Sequence, residues 1–237
     1  AGDTAQNISL GSHNFSPGNI TLRAWSKNPN STTDGYLDND TFETTVYATH
    51  LCDTFTIGGS GADFPSFQSA VDSLHTFGIC GPIVFQVTSG TYYEQISINE
   101  ILGASSTNTI TFMSASGDST DVILSYSPAS TTNYLVQLNG ADYVTFKNIT
   151  LKNTSSSYGR IVELTNKANY NKFYNNVLEG LSGNFTSDYM ALVYSNNSFA
   201  DNYNEIVQNH FKNGSFGIYL YSPTSTNYEN HNLIRKN

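Results

Sequence analysis

Apolar residues recur along most of this chain in bursts of three or four, separated by short polar corners. Between Val136 and Leu151 three bursts follow one another: Val136-Gln137-Leu138, Tyr143-Val144-Thr145-Phe146 and Ile149-Thr150-Leu151. Alternation within each burst predicts a strand with one face inward. Asn139-Gly140-Ala141-Asp142 has the composition of a turn, and Lys147-Asn148 leaves room only for a corner. Three strands joined by two tight corners make one coil of a parallel β-helix. A single coil cannot bury its own face, so the unit has to repeat.

Later segments repeat it. Ile161-Val162-Glu163-Leu164, Asn171-Lys172-Phe173-Tyr174 and Asn176-Val177-Leu178 form a second pass. Ala191-Leu192-Val193-Tyr194, Tyr203-Asn204-Glu205-Ile206 and Asn209-His210-Phe211 form a third. A fourth reads Gly217-Ile218-Tyr219-Leu220-Tyr221, Tyr228-Glu229-Asn230 and Asn232-Leu233-Ile234. The period varies over roughly 23 to 33 residues, within the solenoid range, and its variation falls in Ser/Asn/Thr-rich loops. Asn148, Asn176, Asn209 and Asn232 each precede a third strand. Rungs spaced about 4.8 Å apart would stack these amides into a ladder. Turn chemistry alone would also favour Asn there.

Upstream, Ile83–Val87, Gln95–Ile98, Thr109–Phe112 and Val122–Leu124 read as earlier strands. The segment Ser66–Gly78 reads as an amphipathic helix: Phe67, Ala70, Val71 and Leu74 share a face, Ser66 is placed to N-cap and Gly78 to end it. Such a helix would close the open end of the first coil. Residues 1–50 differ. Asn7–Leu10, Asn19–Trp25 and Thr41–Tyr47 alternate with period two, like half-buried antiparallel strands. With the Pro17-Gly18 turn before the second of these strands and Asn39-Asp40-Thr41 before the last, they resemble the last three strands of immunoglobulin-like modules of bacterial surface proteins. The expected organisation is all-β: a partial immunoglobulin-like module over 1–50, as that resemblance implies, then a parallel β-helix over 51–237, with its cap at 52–80 and coils from 82 onward.

Composition narrows the function classes. The chain has 237 residues, 12% charged and 13% aromatic, with a net charge of −9. That balance suits a secreted all-β protein and disfavours nucleic acid, whose phosphates nothing here would neutralise. No apolar run approaches membrane-spanning length. Cys52 and Cys80 flank the cap, and two cysteines in a secreted-looking chain more often pair than stay free. Closing that loop would be worth roughly 3 kcal/mol. No cofactor is implied. Asp34, Asp38, Asn39 and Asp40 offer hard ligands, but their spacing fits no EF-hand and Asx turns explain them. The histidines are dispersed, so no metal site is expected. Asn-x-Ser/Thr sequons occur at Asn148, Asn153, Asn184, Asn213 and elsewhere, as chance allows in so Asn-rich a chain.

Gly59-Ser60-Gly61-Ala62-Asp63-Phe64 with the helix after it, Val84–Glu94 and Val144–Asn153 resemble the front half of pectin methylesterases. Thr56–Gly61, Cys80-Gly81-Pro82 and Asn108–Phe112 are similar to segments that recur in large surface proteins of Bacteroidota exported by type IX secretion. The resemblance implies a right-handed β-helix outside the cell and O-glycans at sites such as Asp118-Ser119-Thr120. It implies little chemistry, because such repeats serve enzymes, adhesins and stalks alike. The Gln-Ala-Val-Ala-Leu, Asp-Phe-Ile-Phe-Gly and Leu-Gly-Arg-Pro-Trp type motifs of the esterases are absent after Asn153, as are polygalacturonase motifs, so no catalytic residue is assigned.

The remaining candidate is a surface. Alternation turns Ile218 and Leu220 inward and Tyr219 and Tyr221 outward, with Tyr194 and Glu163 in the same outward column. Aromatic rings beside an acceptor suggest a platform for extracellular polysaccharide or surface glycans; half-exposed strand tyrosines are the plainer reading. The expectation is a non-catalytic part of a secreted surface protein, an adhesin or stalk, covalently continuous with further domains. That continuity is expected because no capping element follows Ile234 and the opening strands are too few for a sandwich. The alternative is a polysaccharide-active β-helix enzyme (lyase, hydrolase or esterase) whose catalytic residues lie outside this chain.

Overall fold

A computed structural model describes residues 18–25, 41–48, 50–196, 200–221 and 228–237. The chain divides into two compact units, Ala1–His50 and Leu51–Asn237. In the first, strands β1 (Gly18–Trp25) and β2 (Thr41–Ala48) pair antiparallel from Gly18 opposite Ala48 to Trp25 opposite Thr41. The expected strand at Asn7–Leu10 and the Asx-rich loop at 28–40 lie outside the described residues.

The second unit is a parallel β-helix of three sheets. Strand β3 (Leu51–Ile57) leads to helix α1 (Phe67–Phe77), and the coils then run through β4 (Ile79–Val87), β5 (Gly90–Tyr93) and β6 (Ile96–Asn99). The next turns contribute β7 (Ile110–Ser114), β8 (Val122–Tyr126), β9 (Val136–Asn139), β10 (Val144–Lys147), β11 (Thr150–Asn153) and β12 (Val162–Thr165). The last are β13 (Lys172–Tyr174), β14 (Val177–Glu179), β15 (Val193–Asn196), β16 (Glu205–Val207), β17 (His210–Lys212), β18 (Ile218–Tyr221) and β19 (Leu233–Arg235). The first sheet stacks β3-β4-β7-β10-β13-β16-β19, the second β5-β8-β11-β14-β17, the third β6-β9-β12-β15-β18.

Alternating residues point inward and stack like on like. Phe85, Phe112, Phe146 and Phe173 form one column with ring centroids 4.7, 5.2 and 5.7 Å apart. Leu124, Leu151 and Leu178 form a second, and Ile98, Leu138 and Leu164 a third. All are essentially buried, each contributing about 1.5–3 kcal/mol of apolar burial before entropy is counted. Val162 is inward and fully buried, as the alternation predicts.

Helix α1 forms where expected, with Phe67, Ala70, Val71 and Leu74 buried. Ser66 and Ser69 make a reciprocal capping box. The carboxylate of Glu94, from beyond β5, accepts from the backbone N–H groups of Phe67 (3.2 Å) and Gln68 (2.8 Å), neutralising the positive end of the helix. Phe67 reaches into the first coils against Tyr92 and Phe112, at 5.2 and 5.9 Å. At the other end Gly78 has φ +64, and a Cβ there would come within 2.7 Å of the Leu102 carbonyl, so only glycine fits. Cys52 and Cys80 are joined in a disulfide, their Cα atoms 5.5 Å apart on the neighbouring strands β3 and β4.

Corners on both sides of the first sheet are made by single residues in the left-handed region. Tyr143, Tyr170, Tyr203 and His231 precede its strands, while Asn148, Asn175, Gln208 and Lys236 follow them. Two amide ladders run beside these corners. Asn171, Asn204 and Asn232 accept at Oδ1 from the backbone N–H groups of Val144 (2.9 Å), Asn171 (2.9 Å) and Asn204 (2.8 Å) on the preceding rung. Asn176, Asn209 and Asn237 do the same for Ile149 (3.0 Å), Asn176 (3.1 Å) and Asn209 (2.9 Å).

The ladder expected through Asn148, Asn176, Asn209 and Asn232 is thus corrected. Asn148 sits one residue earlier, in the left-handed corner itself, and Asn232 belongs to the other ladder. The cause is that Leu233–Arg235 pairs with β16 in the first sheet, whereas the fourth pass read from the sequence made it a third strand. Asn148 and Asn153 are buried, unlike Asn184, so two of the sequons are sequestered in the coil wall.

Candidate functional site

Strand pairing puts Ser97, Gln137, Glu163, Tyr194 and Tyr219 in one outward column of the third sheet. Ile218 and Leu220 pair with the inward Val193 and Ser195, so Tyr219 and Tyr221 do face outward. The column is hydrogen-bonded from rung to rung. Ser97 Oγ donates to Gln137 Oε1 (2.8 Å), and Gln137 Nε2 donates to Glu163 Oε2 (2.7 Å). Arg160 donates to Glu163 Oε1 at 2.9 Å and to Asp188 Oδ2 at 2.7 Å, from a side chain only 13% exposed. Burial, reinforced by the Glu163 charge, pushes the nearby Tyr134 phenol up.

This arrangement changes the role of Tyr194. The ring is 6% exposed. Arg160, from the rung below, lies over it at 3.3 Å from the centroid, and Tyr219, from the rung above, stacks on it at 5.5 Å with planes 10° apart. With both faces occupied, Tyr194 supports the platform from beneath. Tyr219 lies 6.4 Å from Tyr221, which is 50% exposed, so these two rings are the ones a ligand could meet. Glu163 is held in its ion pair, an acceptor already shared between Arg160 and Gln137. The two carboxylates, the amide and the guanidinium form a lattice in which opposite charges meet directly.

A second constellation lies on the outward face of the first sheet. Tyr143, Tyr170, Tyr203 and His231 stack in parallel, with centroids 5.0, 4.7 and 4.6 Å apart and planes within 6, 8 and 15°. Beside them runs a groove of about 190 Å³, lined by the three tyrosines with Ser106, Thr109, Thr145, Lys172 and Glu205. Lys172 Nζ and Glu205 Oε1 are 3.0 Å apart, and the Tyr174 hydroxyl also bonds Glu205. Sequence reasoning missed this stack. Its signal is an aromatic ring three residues before an inward apolar residue: Tyr143 before Phe146, Tyr170 before Phe173, Tyr203 before Ile206, His231 before Ile234.

Inside the coil, Ser195 takes the inward place that Leu164 holds one rung earlier. Its Oγ lies 2.7 Å from Asp201 Oδ2 and 2.8 Å from Glu229 Oε1. Burial, helped by the Asp201 charge, raises the Glu229 carboxyl against hydrogen bonds that lower it. On the second sheet Lys152 is held by Glu179 at 2.7 Å. Among the described residues, no three His, Cys, Asp or Glu side chains are grouped to hold a metal ion, and no helix is long and apolar enough to cross a membrane.

Neither a protein-family model nor a curated protein matches the chain. Two solved structures are similar to it, both of the pectin methylesterase from Aspergillus niger. The deglycosylated form shares 18% identity over 69% of this chain and 51% of its own, with a TM-score of 0.47. The penultimately deglycosylated form shares 18% identity over the same fractions, with a TM-score of 0.46. The chain spans about half the length of those enzymes. The β-helix itself rests on the strand pairing described above.

Proposed function

We propose that this β-helix is a non-catalytic part of a large secreted cell-surface protein, an adhesin or stalk of the Bacteroidota type IX kind, and that it contacts polysaccharide or surface glycans. The observation that carries this reading is the third sheet's outer face. There Arg160 is ion-paired with both Glu163 and Asp188 and lies under Tyr194, on which Tyr219 stacks beside Tyr221. A half-apolar surface with a polar, internally paired rim suits recognition of a sugar more than proton transfer to one. The acidic, charge-poor composition and the disulfide are compatible with an extracellular location.

Glycan-array binding of the 237-residue chain tests this. The expected result is saturable binding to a subset of glycans, weakened at least about fivefold by Tyr221→Ala, since exposed aromatic anchors carry much of such contacts. Absence of binding to every arrayed glycan would count against a carbohydrate role. The esterase reading draws on one observation, the meeting of Gln137, Glu163, Arg160 and Asp188 at a single point. Methanol release from methylesterified pectin that vanishes in Glu163→Gln would favour that reading instead.

A further inference from the structure

We propose that the groove on the first sheet is a separate binding site for a neutral saccharide unit, seated against Tyr143 at the foot of the tyrosine stack. This rests on the carbohydrate-contacting reading above but places a contact on a different face of the coil. The argument starts from register. Val144 pairs with Ile110, so the residue one rung below Tyr143 in the corner column is Thr109. Above Tyr143 the column continues as Tyr170, Tyr203 and His231, each ring covered by the next. Within the stack the ring faces are spent on one another. At Thr109 the column steps down to a side chain too small to cover a ring, and Thr109 and Tyr143 both line the groove.

The walls match a polyhydroxylated, uncharged ligand. Ser106, Thr109 and Thr145 line the groove with hydroxyls at exposed or half-buried positions. Each can both donate and accept, as sugar hydroxyls require. Lys172 and Glu205 are the groove's ionisable pair, and they neutralise each other. No net charge therefore selects for a uronate or an amine, and the chain's −9 charge disfavours polyanions further. An aromatic face, a row of hydroxyls and a closed ion pair in about 190 Å³ fit one sugar ring, with its C–H face on Tyr143 and its hydroxyls toward the threonines.

The test uses the 237-residue chain with mannohexaose, cellohexaose and maltohexaose as neutral probes and trigalacturonate as an acidic one, by calorimetric titration. Thr109→Tyr extends the stack and covers Tyr143. A second variant, Ser106→Ala with Thr145→Val, removes hydroxyls at exposed or half-buried positions and guards against misfolding of the first. The expected result is that a neutral hexasaccharide binds and that both variants weaken it by about tenfold or more, while Tyr93→Ala, at an exposed ring of the second sheet, leaves it unchanged. Binding lost in Tyr221→Ala but kept in both groove variants overturns the proposal and leaves the third-sheet platform standing. Tighter binding of trigalacturonate than of all three neutral probes overturns the assigned ligand class. Lack of binding by every neutral probe overturns the site itself, whereas the broader reading is judged by the glycan array.

Discussion

Ser195 is where the interior of the coil changes character. On earlier rungs its inward column holds Ile98, Leu138 and Leu164; here it holds a hydroxyl, with Asp201 and Glu229 gathered to it. Asp201 Oδ1 also accepts from the Ala168 N–H at 2.8 Å, and Glu229 Oε2 accepts from the Asp201 N–H at 3.1 Å. Burial raises the folded-state pKa of Glu229 above its unfolded value. In the window between the two, the folded chain keeps a proton that the unfolded chain releases. Stability contributed at this position therefore falls as pH rises through that window and is lost above the folded value. Glu229→Gln keeps the shape and removes the ionisation. Thermal melts between about pH 4 and pH 8 should show a flatter pH dependence for the variant. Parallel curves for the two proteins would show that Glu229 does not titrate differently in the fold.

At the scale of elements, the amide ladders do what side chains alone cannot. The corners bend the backbone away from strand geometry, and their N–H and C=O groups need partners inside the wall. Asn209 supplies four. It accepts from the Asn176 backbone and side chain and donates to the Phe173 carbonyl (2.9 Å) and to Asn237 (3.0 Å). Asn209→Ala strands the Asn176 N–H and the Phe173 carbonyl in a buried setting, at a cost of about 2–4 kcal/mol. Urea unfolding should report that loss, against a change within about 0.5 kcal/mol for Asn184→Ala on the exposed surface. Equal effects from the two substitutions would remove the ladder as a stabilising element.

At the scale of the molecule, the β-helix is held at its front by a helix and a cross-link. Glu94 ties the start of α1 to the first coil, and the disulfide ties β3 to β4 across a separation of 28 residues. Constraining that loop lowers the entropy of the unfolded chain, so replacing both cysteines by alanine should cost about 3 kcal/mol. Thermal melts of wild type with and without reductant, and of the double variant, check this. A reduced protein melting with the oxidised one would show that the cap holds without its cross-link.

The sequence by itself determined the β-helix, its inward residues and its capping helix, because each is written in local alternation. Whether Val162 or Glu163 faces inward is settled by immediate neighbours, and so is the shared face of Phe67, Ala70, Val71 and Leu74. The cysteine pairing was legible too, since both residues flank one entrance. Tertiary structure alone decided what lies over what. Ladder and stack partners stand 27, 28 or 33 residues apart, and loops of unequal length separate them. A one-residue slip moves Asn148 out of a ladder that Asn176 belongs to. Likewise, Arg160 over Tyr194, Thr109 beneath Tyr143 and Glu229 beside Ser195 follow from register between rungs. That register is set by hydrogen bonding and packing across the stack; the hydrophobic pattern marks it in places, as at the aromatic three residues before each inward Phe or Ile, but loops of unequal length hide it elsewhere.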